Sequence, residues 1–126
     1  MNKPLALIIE DEKDLSDIFA EALQHAEFVT EIVRDGQLAV NRLGEIVPDV
    51  VLLDLHLPNV AGTDILKQIR RDQRLVNTQV IVVTADARSA EFLRSDAELV
   101  LVKPVRFSQL RDLASRIRPK NPGHLV

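Results

Sequence analysis

The sequence predicts a doubly wound α/β fold, in which helices cover both faces of a parallel sheet. Five short apolar runs alternate with segments of helical period along the 126 residues. The runs at 5–9, 50–53 and 80–83 are apolar without alternation, which is typical of strands covered on both faces. A chain of this length with 46% hydrophobic residues is expected to fold as one globular domain.

Each element has its own pattern. Strands are predicted at residues 5–9, 28–33, 50–53, 80–83 and 99–102. Helical spacing of apolar residues predicts a helix after each strand. The apolar faces are Leu15, Ile18, Phe19, Ala22, Leu23 and Ala26 in the first helix, Leu38, Ala39, Leu43 and Ile46 in the second, Ile65, Leu66 and Ile69 in the third, Phe92, Leu93 and Ala97 in a short fourth, and Phe107, Leu110, Leu113, Ala114 and Ile117 in the fifth.

Composition excludes several classes of function. The absence of Cys excludes a disulfide scaffold, a thiol nucleophile, an iron–sulfur cluster and a Cys-type zinc site. The longest apolar stretches are about five residues, too short to cross a membrane, and no signal peptide opens the chain, so we expect a cytoplasmic protein without membrane contact. Residues 103–126 hold six basic groups and one acidic group, a distribution we interpret as a solvated helix face, not a nucleic-acid site.

Polar side chains follow four of the predicted strands. They are Glu10 and Asp11 after the first, Asp54 after the third, Thr84 after the fourth and Lys103 after the fifth. In open α/β sheets, ligands bind beyond the carboxyl ends of the strands, where these residues would meet. Three clustered carboxylates suit a hard divalent cation, and the small ligand set favours Mg2+ over Ca2+. A carboxylate beside a cation, an ammonium and a hydroxyl is equipped for phosphoryl transfer.

Each of these residues also has an ordinary structural interpretation. Asp11 could cap the first helix, which would leave Glu10 as an incidental surface acid. Thr84 and Lys103 could be unremarkable strand ends. Asp54 is harder to explain in this way, because a charge that ends a buried strand is costly unless something pairs with it.

Taken together, the motifs resemble the receiver domain of two-component response regulators over about residues 4–118. The matching segments are Ile8-Ile9-Glu10-Asp11-Glu12, Asp35-Gly36, Pro48-Asp49-Val50-Val51-Leu52-Leu53-Asp54, Leu57-Pro58, Gly62, Thr84-Ala85 and Lys103-Pro104. The resemblance implies a flavodoxin-like fold with five strands in the order 2-1-3-4-5 and five helices. It places the receiver domain at residues 1–119 and a short tail at 120–126. Whether the chain stands alone or is part of a longer protein stays open.

The resemblance also implies a phosphoryl-accepting site. Asp54 would accept the phosphoryl group and, with Asp11, bind Mg2+, or Mn2+ as the alternative ion. Glu10 would act on the ion through water, and the backbone carbonyl of His56 would be a further ligand. The His56 side chain is expected to face solvent.

Three further residues would contact the phosphoryl group. Lys103, aimed by a cis bond to Pro104, would pair with one oxygen. The Thr84 hydroxyl would bind a second oxygen, and the backbone N–H of Ala85 a third. Val100 stands where the family usually has Tyr or Phe, and the short spacing from Thr84 to Lys103 predicts a short or irregular fourth helix.

By resemblance, the function is that of a phosphorelay receiver. Asp54 would take its phosphoryl group from a histidine kinase or a histidine phosphotransfer protein. The switched surface would then bind a downstream protein or a second copy of the chain. Such a domain catalyses its own phosphotransfer and dephosphorylation without being a dedicated metabolic enzyme.

Three other functions are compatible with a fold of this class. The main alternative is a receiver-like interaction module that works without phosphorylation. A nucleotide- or flavin-binding enzyme would need a Gly-rich phosphate loop, and neither common loop motif follows a strand. A dehalogenase-type phosphatase would need an acid at the position of His56.

Overall fold

The computed structural model describes residues 2–120, which form a five-stranded parallel sheet. The strands are β1 (Leu5–Ile9), β2 (Val29–Val33), β3 (Val50–Asp54), β4 (Gln79–Thr84) and β5 (Leu99–Val102). Their spatial order is β2-β1-β3-β4-β5. The predicted fold class and strand order are confirmed.

Helices connect the strands and cover both faces of the sheet. They are α1 (Lys13–His25), α2 (Gly36–Leu43), α3 (Gly62–Arg71), α4 (Ala87–Leu93) and α5 (Phe107–Ile117), with a 3-10 turn at Gln73–Leu75. Helices α1 and α5 pack on one face, while α2 and α3 pack on the other. Helix α4 has seven residues, which confirms the expectation of a short fourth helix.

The core explains why the central strands are apolar without alternation. Along β3, Val50 and Leu52 join the cluster under α1 and α5, whereas Val51 and Leu53 join the cluster under α2 and α3. All five residues of β3 are buried. Both faces of the strand therefore demand apolar side chains, and only the terminal Asp54 breaks the pattern.

Strand register brings the predicted site residues to one edge. Ile9 pairs with Leu53, Asp54 pairs with Val83, and Thr84 pairs with Val102. Because all strands run in the same direction, their last residues and the residues that follow them meet at the carboxyl edge of the sheet.

Several predicted core positions lie elsewhere. Phe92 is 83% exposed, so its assignment to the buried face of the fourth helix is wrong. Ala90 and Leu93, three residues apart, turn inward instead, and Phe92 lies off that stripe. Ile18 and Leu38, at the margins of their apolar faces, are exposed as well.

Several boundaries also differ from the prediction, and Ala26 and Ala97 lie beyond the C-terminal ends of α1 and α4. Phe28 is buried but precedes β2, and Ile46 follows the end of α2 while still packing against the core. Within residues 2–120, no helix has the length and apolar composition needed to cross a bilayer. Most of the predicted tail, residues 121–126, lies outside the described residues.

Candidate functional site

Asp54 is the centre of the polar cluster at the carboxyl edge. Asp54 is 1% exposed, and each of its two carboxylate oxygens accepts a hydrogen bond. Oδ1 accepts a hydrogen bond from the backbone N–H of His56 at 2.9 Å, and Oδ2 accepts one from Nζ of Lys103 at 3.0 Å. The charge of this buried carboxylate is therefore balanced by an ammonium, as its position at the end of an apolar strand requires.

Lys103 reaches Asp54 from the end of β5, two strands away. Its backbone N–H donates to the carbonyl of Thr84 at 2.8 Å, which continues the β4–β5 ladder by one residue. The Lys103–Pro104 peptide bond is cis, as expected. Nζ also lies 3.9 Å from Oε1 of Glu10, so the ammonium stands beside both carboxyl groups. Lys103 is thus part of the site and is not an ordinary solvated strand end.

Glu10, Asp11 and Asp54 form an acidic cluster that can hold a cation. One carboxylate oxygen from each lies within 4.8 Å of the others. Oε2 of Glu10 accepts from the backbone N–H of Glu12, but Oε1 is buried and accepts no hydrogen bond from any residue in the described range 2–120. A buried oxygen without a donor is costly, and a hard cation would satisfy it. The all-oxygen donor set fits Mg2+.

The alternative interpretation of the first two acids is wrong. The N-terminal cap position of α1 is Glu12, not Asp11, and no side chain caps this helix. Asp11 is exposed at the mouth of the cluster, whereas Glu10 is 1% exposed and cannot be an incidental surface acid.

Electrostatics set the charge state of the site. Burial, and next the neighbouring Asp54, raise the pKa of Glu10 from 4.5 to about 8. Burial alone would also raise the pKa of Asp54, but the His56 N–H, Glu10 and Lys103 outweigh it and hold that pKa below its ordinary value. Burial would lower the pKa of Lys103, yet the neighbouring carboxylates raise it. At neutral pH, without a bound cation, Asp54 is ionised, Lys103 is charged and Glu10 is mostly protonated.

Thr84 is completely buried at the end of β4. Its Oγ1 accepts a hydrogen bond from the backbone N–H of Asp86 at 3.1 Å, and it lies 3.5 Å from Nε2 of His56. The Asp86 carboxylate in turn caps α4 by accepting from the backbone N–H of Arg88. Ala85, between Thr84 and Asp86, is exposed beside the site. Thr84 therefore connects the site to the first turn of α4.

The start of α3 lies directly on the backbone of the site. A Cβ added to Gly62 would stand 2.6 Å from Cα of Leu55 and 2.8 Å from the carbonyl oxygen of Asp54. Only glycine permits this approach without displacement. The role of Gly62 is therefore to let α3 pack against the strand end that carries Asp54.

The sequence did not indicate two contacts of His56. Its backbone N–H donates to Asp54, and its ring, although the residue is exposed as expected, lies within reach of Thr84. The first contact follows from a tight turn after β3, and the second depends on a side-chain rotamer. Neither leaves a signal in residue spacing.

The fold and the site define a class of protein: a doubly wound α/β domain with a buried carboxylate–ammonium pair and an acidic cluster at the carboxyl edge of its parallel sheet. Within that class, the family described as "Response regulator receiver domain" matches residues 6–115. The chain belongs to this family, which operates in two-component signalling.

Individual relatives agree with this assignment. The chain is 36% identical over 117 residues to the sensory transduction protein RegX3 of Mycobacterium bovis, covering 89% of this chain and 48% of the relative. It is 31% identical over 125 residues to the "Probable methanogenesis regulatory protein FilR2" of Methanothrix harundinacea, covering 90% of this chain and 81% of that one. The chain thus spans about half the length of the mycobacterial relative.

Solved structures share the fold. A receiver domain from Methylobacillus flagellatus superposes with a TM-score of 0.82 at 24% identity, over 92% of this chain and 99% of the other. TrrA of Thermotoga maritima, solved in complex with Mg2+ and a beryllium fluoride, has a TM-score of 0.79 at 23% identity, over 90% and 98%.

Proposed function

We propose that Asp54 accepts a phosphoryl group from phosphohistidine on a histidine kinase or a histidine phosphotransfer protein. The observation that carries this proposal is the buried Asp54 carboxylate, held 3.0 Å from the Lys103 ammonium inside an acidic cluster. The pair supplies a nucleophile and a counter-charge in one place. Receiver domains of response regulators interact with histidine kinases and downstream effectors, and this chain belongs to their family.

In the proposed reaction, a carboxylate oxygen of Asp54 attacks phosphorus in line with the departing imidazole nitrogen. The new bond is O–P, the broken bond is P–N, and the bond's electron pair returns to the partner's imidazole. Lys103, Thr84 and the N–H of Ala85 would each receive one phosphoryl oxygen. Attack of water on the acyl phosphate reverses the modification and releases inorganic phosphate, so the domain resets itself.

A divalent cation belongs in this proposal because the acids present fit one. Asp11, Asp54 and the backbone carbonyl of His56 would hold Mg2+ (or Mn2+), with Glu10 acting through water. When bound, Mg2+ neutralises charge on the phosphoryl oxygens. Glu10, whose pKa is raised to about 8, would lose its proton as the cation enters.

We extend the proposal to the domain bounds, the location and the partners of the protein. We place the receiver domain at residues 1–119, the tail at 120–126 and the protein in the cytoplasm, where a kinase could reach it. A downstream protein or a second copy of the chain would recognise the phosphorylated state. The domain would act as a signalling phosphoacceptor and not as a dedicated metabolic enzyme.

Intact-mass spectrometry tests the phosphoacceptor. Incubation with Mg2+ and a small phosphodonor such as acetyl phosphate should add one phosphoryl group. Asp54→Asn should abolish this adduct, while Asp64→Asn, an exposed acid in the first turn of α3, should retain it. An unmodified wild type, or an equal adduct in Asp54→Asn, would refute the assignment.

Calorimetry tests the cation site. The wild type should bind Mg2+ in the millimolar range, and Asp11→Ala should bind it much more weakly. Asp14→Ala, an exposed acid in the first turn of α1, is the matched control. Equal binding by Asp11→Ala and the wild type would remove Asp11 from the proposed ligand set.

The alternative function, an interaction module that ignores phosphorylation, is separated by a further measurement. If the adduct forms but leaves self-association and partner affinity unchanged, the alternative holds. A change in either property on phosphorylation supports the switch.

A further inference from the structure

The imidazole of His56 and the hydroxyl of Thr84 face each other across the site. Nε2 of His56 lies 3.5 Å from Oγ1 of Thr84, at the outer limit of a hydrogen bond. His56 belongs to the loop after β3, whereas Thr84 ends β4 and is completely buried. This contact therefore joins the segment that carries Asp54 to the segment that leads into α4.

The hydroxyl of Thr84 has one proton to donate. Oγ1 already accepts a hydrogen bond from the backbone N–H of Asp86 at 3.1 Å. A neutral imidazole offers one nitrogen as an acceptor, and Nε2 is the ring atom that faces Oγ1. Both groups are satisfied when the Thr84 O–H donates its proton to Nε2 of His56.

We infer that His56 is a positioning residue that holds the Thr84 hydroxyl in the unphosphorylated protein and must release it when Asp54 is phosphorylated. The inference rests on the proposed function, in which Thr84 binds a phosphoryl oxygen. One O–H cannot donate fully to both acceptors. His56 therefore competes with the phosphoryl group and favours the unmodified state.

The contact between His56 and Thr84 is also connected to α4 by hydrogen bonds. The backbone N–H of Asp86 is bonded to Oγ1 of Thr84, and the carboxylate of Asp86 caps α4. When the hydroxyl turns from His56 towards a phosphoryl oxygen, its bond to Asp86 must follow or break. His56 would thus change the free-energy difference between the two positions of the Thr84 hydroxyl. The hydrogen bonds of Asp86 would transmit that change to the first turn of α4.

The contact is tested first without any ligand. In 15N NMR spectra at mildly alkaline pH, the Nε2 signal of His56 should shift in Thr84→Val and return towards its wild-type position in Thr84→Ser. The signal of His25, which ends α1 and packs against Phe107 of α5, is the internal control and should stay in place. A His56 signal that is the same in Thr84→Val and the wild type would overturn the inference.

The competition is tested with Mg2+ and beryllofluoride, a stable mimic of the phosphoryl group. Losing a competing hydrogen bond should let His56→Ala bind the mimic about 3–10-fold more tightly than the wild type. In a Thr84→Val background, adding His56→Ala should leave the affinity unchanged, because the effect acts through the hydroxyl. His25→Ala is the matched control and should bind as the wild type does.

The outcomes separate the two proposals. Binding by the wild type with equal or weaker binding by His56→Ala overturns the role of His56 and leaves the phosphoacceptor assignment intact. The same gain from His56→Ala in both backgrounds also overturns it, since Thr84 would not be involved. If the wild type binds no mimic and forms no acyl phosphate, the phosphoacceptor assignment fails, and the role of His56 fails with it.

Discussion

The carboxyl edge of the sheet and the side of the molecule formed by α4 and the body of β5 are packed in contrasting ways. Every residue of β3 is buried, whereas in β5 only Leu101 is buried and Val102 is 37% exposed. The carboxyl edge positions charged groups to within hydrogen-bond distance, while α4 is seven residues long and leaves Phe92 in solvent. The rigid region suits chemistry, which needs fixed geometry. The less buried region is expected to rearrange at lower cost, as the proposed switch would require.

We expect the largest difference in stability between two phenylalanine substitutions, one in the buried core and one on α4. Phe19→Ala should destabilise the protein by about 3–5 kcal/mol, because it empties a buried position between α1 and the sheet. Phe92→Ala should change the free energy of unfolding by less than about 0.5 kcal/mol, since the ring is already in water. Urea unfolding checks both. A large loss in Phe92→Ala would show that the α4–β5 side is packed more firmly than described.

Lys103→Ala should slow phosphorylation of Asp54 about a hundredfold or more, because it removes a preorganised cation from the attacked group. Initial rates of adduct formation with acetyl phosphate measure the effect. Lys67→Ala, an exposed lysine on α3, is the control and should react at the wild-type rate. A rate for Lys103→Ala within threefold of the wild type would mean that the ammonium serves only to stabilise the fold.

Gly62→Ala should destabilise the protein by about 1–3 kcal/mol, because the added methyl group would overlap the backbone of Leu55. The same displacement would move Asp54, so phosphorylation should slow as well. Thermal unfolding and adduct formation report the two effects. Gly44→Ala, after α2, is the control: its added Cβ would come no nearer than 3.3 Å to another atom. Wild-type behaviour of Gly62→Ala would show that α3 can withdraw freely from the site.

Glu10→Gln should stabilise the metal-free protein at high pH by a few kcal/mol, because each pH unit between the two pKa values of Glu10 contributes about 1.4 kcal/mol. The pKa of Glu10 is raised from 4.5 to about 8 in the folded state. Between these values the folded state binds more protons than the unfolded state, so the wild type loses stability as pH rises. Glutamine stays neutral, and the stability difference should therefore grow from about pH 5 to about pH 9. Urea unfolding in EDTA measures it, and a pH-independent difference would contradict the raised pKa.

Sequence predicted the rigid region better than the loose one for a physical reason. In β3, burial on both faces leaves no choice but apolar residues, so the strand and the isolated charge of Asp54 stand out. In α4, seven residues contain too few turns to define a face, and Phe92 was placed inward when only Ala90 and Leu93 turn that way. The sequence does not predict the His56–Thr84 contact, because the contact depends on a side-chain rotamer and not on residue spacing.

The register of the sheet has a consequence for engineering. Glu10, Asp54, Thr84 and Lys103 each end a strand or directly follow one, and those strands are neighbours in the sheet. Their separation is therefore set by the repeat of about 4.8 Å between hydrogen-bonded strands. A designer could therefore replace exposed residues of α4, such as Phe92, while the reacting groups keep their places.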